Sequence, residues 1–113
     1  DPVALEQIVH NLLMNALQAL EQLPAEHRHI RLRLGSEDSK GFLQVTDSGP
    51  GIPDEVLPRL FQPFFSTREG GLGLGLSLCE TLASGMGGSL SAANAATGGA
   101  VFRLRLPLAN NPA

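Results

Sequence analysis

Apolar residues at Leu5, Ile8, Val9, Leu12, Leu13, Ala16, Leu17 and Leu20 recur at helical spacing, which predicts a helix from residue 2 to about 22 with one buried face. Asp1-Pro2 opens it as an N-cap followed by a first-turn proline, and Pro24 ends it. The period then changes. Residues 30–34 and 42–47 alternate apolar and polar side chains, as strands do, with 36–41 as the turn between them. Residues 48–53 contain two glycines and two prolines and read as loop. A short helix is expected at about 54–60. It is followed by a phenylalanine-rich segment at 61–65 and by residues 66–73, which are too rich in glycine for regular structure. Residues 74 to about 83 read as a second main helix. Residues 89–93 and 101–107 read as two further strands joined through 94–99, with a frayed tail at 109–113.

Strands that come in adjacent pairs suit hairpins, and the helices between them suit one covering layer. The expected fold class is therefore α+β, a two-layer sandwich whose mostly antiparallel sheet is covered on one face by helices. The 113 residues have no internal repeat or linker and are expected to form one domain, 1–113. Apolar residues make up 42% and charged residues 17%, a globular balance that allows a modest core. A net charge of −3 with no basic block speaks against a nucleic-acid-binding surface. It still allows a phosphate ligand, which one or two cations and backbone N–H groups can hold. The single cysteine, Cys79, excludes an internal disulfide and fits a reducing, cytoplasmic setting; its position on a helix suits a small buried residue. No apolar run approaches the roughly 18 residues of a membrane span, so no direct membrane contact is expected. The abrupt start at a helix N-cap is read as truncation of a longer protein.

Three features bear on chemistry. Asn11 and Asn15 lie one helical turn apart, with Gln7 and Gln18 extending a polar row beside the apolar stripe. Amide oxygens there can serve a hard cation such as magnesium, although a solvated helix edge carries the same residues. Asp47-Ser48-Gly49-Pro50-Gly51 follows a strand directly. A carboxylate at a strand end can accept a hydrogen bond from the exocyclic amine of a base, and glycines let backbone pass close to its plane; an aspartate-capped turn is the alternative. Gly70-Gly71-Leu72-Gly73-Leu74-Gly75-Leu76-Ser77 opens a helix and offers free N–H groups to an anion. It is neither a P-loop, since no Gly-Lys-Ser/Thr occurs, nor a dinucleotide fingerprint, since the third glycine spacing and a preceding strand are lacking.

Taken in order, Asn11-Leu12-Leu13-Met14-Asn15-Ala16, Asp47-Ser48-Gly49-Pro50-Gly51-Ile52, Phe61-Gln62-Pro63-Phe64-Phe65 and Gly71-Leu72-Gly73-Leu74-Gly75-Leu76-Ser77 resemble the N, first-glycine, F and second-glycine boxes of sensor histidine kinase catalytic domains, in the GHKL ATPase/kinase superfamily. The likeness runs from Leu5 to Pro107 and implies a Bergerat-type ATP-binding fold. It implies that Asn15 binds magnesium and that Asn11 helps order metal and phosphates. Asp47 would read adenine in a pocket shaped by Gly49 and Gly51. Gly71, Leu72, Gly73, Leu74 and Gly75 would pack over the phosphates, with 66–71 as a short lid. The implied ligands are ATP and magnesium. The implied partners are the parent's own histidine-containing dimerisation domain and, indirectly, a response regulator receiver domain, with the parent anchored in the inner membrane as one option.

The chain also departs from the family. Gln18 stands where many members carry a basic residue, which leaves Arg68 in the lid as the candidate cation for the terminal phosphate, or as a solvated loop charge. Ala100 stands where many carry threonine, and the family's first hairpin is absent. Related ATPases place a glutamate general base at the position of Asn11. A neutral amide cannot take a proton from water, which favours kinase over hydrolase. An anti-sigma-type serine kinase and a degenerate interaction module are the rival readings. His10 lacks a phosphoacceptor context, and His27 and His29 have no evident further ligand.

Overall fold

In the computed structural model, residues 2–63, 75–96 and 98–108 are described. Helix α1 spans Pro2–Ala19, β1 Ile30–Glu37, β2 Lys40–Asp47, α2 Gly75–Gly85, β3 Ser89–Asn94 and β4 Ala100–Pro107. The strands form one antiparallel sheet in the order β1-β2-β4-β3. The predicted α+β sandwich is what forms: both helices pack on one face of this sheet.

Ile8, Leu12 and Ala16, spaced by four on α1, are fully or almost fully buried. They face Cys79 and Ala83 of α2, also buried and also four apart. The small side chains at three of these five positions let the helices approach closely. Beneath them, Val45, Leu90, Phe102 and Leu104 supply the sheet's side of the core. The predicted stripe is wider than the buried one: Leu5 and Leu17 are exposed, because they flank the line that faces α2 and the sheet. No helix among the described residues is long and apolar enough to cross a membrane.

Three boundaries differ from expectation. Helix α1 ends at Ala19 instead of about 22, and i→i−3 bonds from Leu20 and Glu21 tighten the exit. The Arg28 guanidinium then donates to the carbonyls of Leu23 and Glu21, at 2.7 and 3.1 Å, which holds the departing chain. The helix expected at 54–60 is a turn followed by one 3-10 turn, Leu57–Arg59. Pro58 has no N–H to continue an α-helical ladder there.

The first hairpin is also tighter than predicted. Glu37 pairs with Lys40, leaving a two-residue loop of Asp38 and Ser39 with φ of 50° and 66°. Positive φ at both positions is what a type I′ turn requires, and serine is a poor residue for it. Ser39→Gly is therefore expected to stabilise the domain by about 0.5–1 kcal/mol, raising Tm by about 4 °C in thermal unfolding.

Phe42 is buried on the sheet face opposite the helices. Its ring lies across Gly35, where a Cβ would come 2.7 Å from the ring. The guanidinium carbons of Arg103 and Arg33 lie 4.3 and 5.8 Å from its centroid and cover it.

Candidate functional site

Asp47 closes β2 and is 4% exposed. Its Oδ1 accepts hydrogen bonds from the Gly49 N–H at 2.8 Å and the Ala100 N–H at 3.3 Å. A buried carboxylate needs such partners, and both fall on one oxygen. Among the described residues Oδ2 accepts none. The group is thus fixed in orientation while one acceptor oxygen stays available.

Glycines make this arrangement possible. A Cβ on Gly49 would come within 2.9 Å of the Ala19 carbonyl and 3.0 Å of Asp47 Oδ1. Gly99, at φ 85°, lies so close to the Asp47 carbonyl that a side chain there would collide with it. Ser48 anchors the loop on its other side: its hydroxyl donates to the His27 carbonyl at 2.7 Å and accepts from the His29 N–H at 2.8 Å.

A cleft of about 210 Å³ opens beside Asp47. Asn15 and Gln18 of α1 border it, Ile52 and Leu60 form its loop wall, and Phe102 of β4 contributes its floor. Apolar walls with a few fixed polar groups suit a flat heteroaromatic ligand, and a carboxylate oxygen suits one that carries an amine. Among the described residues no three His, Cys, Asp or Glu side chains group as a metal cage. The donor that suits magnesium is the Asn15 carboxamide oxygen, a hard ligand beside the same cleft.

The structure therefore brings Asn15, Asp47 and Gly51 to one cleft, with Gly49 packed behind Asp47. Asn11 has different surroundings. It does not line the cleft, and its side chain lies by the Cys79 thiol of α2. Burial pushes the Cys79 thiol up from its ordinary value, an effect the nearby Asn11 side chain partly opposes. Cys79 Sγ also lies 3.9 Å from the Ile8 carbonyl, to which it donates. This is the small, buried, unreactive cysteine that the sequence suggested. Gly75 is the first residue of α2, with open space where a Cβ would stand. Arg68, Gly71, Leu72, Gly73, Leu74 and the 66–71 lid lie outside the described residues. His10, His27 and His29 are exposed.

Sequence reasoning missed Gly99 and the Ala100 N–H as parts of this site. Both reach Asp47 through the pairing of β2 with β4, Ala100 across 53 residues, which no local pattern announces.

Residues 1–110 match the family described as histidine kinase-, DNA gyrase B- and HSP90-like ATPase. The chain belongs to this family. It is 38% identical to the sensor histidine kinase TmoS of Ectopseudomonas mendocina over 96% of its length and 11% of that protein's. It is 48% identical to the two-component sensor PprA of Pseudomonas aeruginosa over 93% of its length and 12% of that protein's. The chain thus spans only about a ninth of the length of these curated relatives. Among solved structures, the mycobacterial sensor histidine kinase MprB superposes with a TM-score of 0.82 at 30% identity, covering 95% of this chain and 72% of that one. The catalytic domain of the histidine kinase ThkA superposes with a TM-score of 0.81 at 33% identity, covering 95% and 68%. This chain is a GHKL-type ATPase domain of the kind found in sensor histidine kinases.

Proposed function

We propose that the chain binds Mg-ATP and donates the γ-phosphoryl group to a histidine on a separate helical dimerisation domain of its parent protein, as the first step of two-component signalling. The observation that carries this reading is the meeting of Asp47 and Asn15 at one cleft in a chain of this family. Asp47 Oδ2 accepts the adenine amine, while Ile52, Leu60 and Phe102 enclose the base. Asn15 and the N–H groups that open α2 serve the phosphate end. Asn15 would hold magnesium, which would supply charge to offset that of the phosphates.

In the transfer, a ring nitrogen of the acceptor histidine bonds to the γ-phosphorus as the bond to the β–γ bridging oxygen breaks and ADP leaves. Such chemistry depends on positioning and charge stabilisation more than on acid–base work by the protein. Asn11 is consistent with that division. A neutral amide cannot act as a base for water, so hydrolysis should be slow. Arg68 is proposed as the cation for the terminal phosphate. The 113 residues are proposed to act as one catalytic domain in the cytoplasm, with a response regulator receiver domain as the indirect recipient.

Incubation with ATP labelled at the γ-phosphate tests the reading. The domain alone should take up no label. With the parent's dimerisation domain added, label should appear on that partner's histidine and be lost in acid. Acid-stable label on any protein in the mixture would instead indicate hydroxyl phosphorylation and a serine kinase.

A further inference from the structure

The loop that walls the cleft is held from across the domain by a side chain outside every motif. Asn94 closes β3, and its carboxamide grips one residue of that loop at both backbone groups. The Ile52 N–H donates to Asn94 Oδ1 at 2.6 Å, and Asn94 Nδ2 donates to the Ile52 carbonyl at 2.8 Å. This reproduces with a side chain the paired donor and acceptor of a strand neighbour. Aspartate has no donor in its ionised form, and glutamine is one methylene longer. Gly51 fits the same contact: it has φ of 84°, and a Cβ there would come 2.9 Å from Asn94 Oδ1.

The turn that follows Asn94 holds the opposite side of the cleft. The Ala95 N–H donates to the Gly99 carbonyl at 2.9 Å and closes the turn. Gly99 then packs on the Asp47 backbone, and the Ala100 N–H donates to Asp47 Oδ1. The carboxylate and the apolar wall facing it are therefore both referenced to one β3–β4 turn. Asn94 itself does not line the cleft.

We propose that Asn94 is a positioning residue for base recognition: by fixing Ile52 it sets the gap between the loop wall and Asp47, and with it the selection of the base. The proposal rests on the reading of this cleft as the adenine pocket. With Ile52 released, the wall moves independently of Asp47, and a base bearing a carbonyl in place of the amine is rejected less sharply.

The test is calorimetric titration of the domain and its Asn94→Ala, Asn94→Asp and Asp47→Asn variants with ATP, adenosine and GTP, each with and without magnesium. Asn94→Ala should weaken ATP and adenosine by the same factor, about three- to tenfold. It should lower the ATP-to-GTP affinity ratio and leave the gain from magnesium unchanged. Asn94→Asp should lose at least as much, because its carboxylate faces the Ile52 carbonyl. A tie that only stabilises the fold would lower Tm and leave the ratio intact, and that result would overturn the proposal. If the unmodified domain does not prefer ATP to GTP and Asp47→Asn changes nothing, the adenine pocket itself is wrong and the proposal is lost with it.

Discussion

Replacing Asp47 by asparagine is expected to weaken ATP binding by about tenfold to a hundredfold while leaving the domain folded. The asymmetry of the Asp47 hydrogen bonds gives this result its form. The Gly49 and Ala100 N–H groups both donate to Oδ1, and an amide oxygen in that place can still accept from them. The amide nitrogen then takes the place of Oδ2 and points a donor at the amine of adenine. Two donors face each other, and a charge-assisted hydrogen bond is lost. The hydrogen bonds that remain become neutral, at a stability cost of roughly 1 kcal/mol. Discrimination against GTP should also shrink, since the new donor suits the guanine carbonyl. Calorimetry with both nucleotides and a thermal melt separate the outcomes. An unchanged ATP affinity would mean that Asp47 serves only to cap its turn.

Asn15→Ala should act on the other end of the nucleotide. The ratio of ATP affinities with and without magnesium should fall by about tenfold or more if Asn15 ligates the ion as proposed, since even changes to groups that only support a ligand commonly cost that much. Adenosine, which has no phosphates, should bind as before. The fold should not suffer, since alanine is the better helix former and Asn15 belongs to the helix α1. Titration of magnesium at fixed ATP reads this directly. A magnesium dependence that survives the substitution would reduce Asn15 to a helix-edge amide.

The periodicities at 2–22, 30–47 and 89–107 were enough to foresee the layered antiparallel fold, because helix and strand each leave a distinct apolar spacing. They overstated the buried stripe. Leu5 and Leu17 keep the helical spacing yet are exposed, since what faces a helix is settled by tertiary packing. The tight hairpin was hidden for a different reason. Asp38-Ser39 is not one of the glycine-bearing pairs that signal a type I′ turn, and cross-strand register imposes the positive φ values. The missing N–H of Pro58 disfavours a regular α-helix at 54–60, and only one 3-10 turn forms there.

The candidate site divides in the same way. Asp47, Gly49 and Gly51 stand together in sequence and could be read as one local feature. Asn15 joins them only through the fold, and the sequence placed it there by family resemblance. Asn94 contacts Ile52 across 42 residues, and Ala100 contacts Asp47 across 53. Both contacts depend on how β3 and β4 align with β2, a register that side-chain alternation constrains only to one face or the other.

The cleft is proposed to take adenine nucleotides through Asp47 and their phosphates through a magnesium ion shared with Asn15. Calorimetric titration of the unmodified domain with ATP and GTP, each with and without magnesium, tests this proposal most directly. ATP is expected to bind at least tenfold more tightly than GTP, in keeping with about 1.5 kcal/mol or more for one charge-assisted hydrogen bond, and magnesium is expected to strengthen ATP binding. Equal affinities for the two nucleotides, or ATP binding indifferent to magnesium, would contradict it.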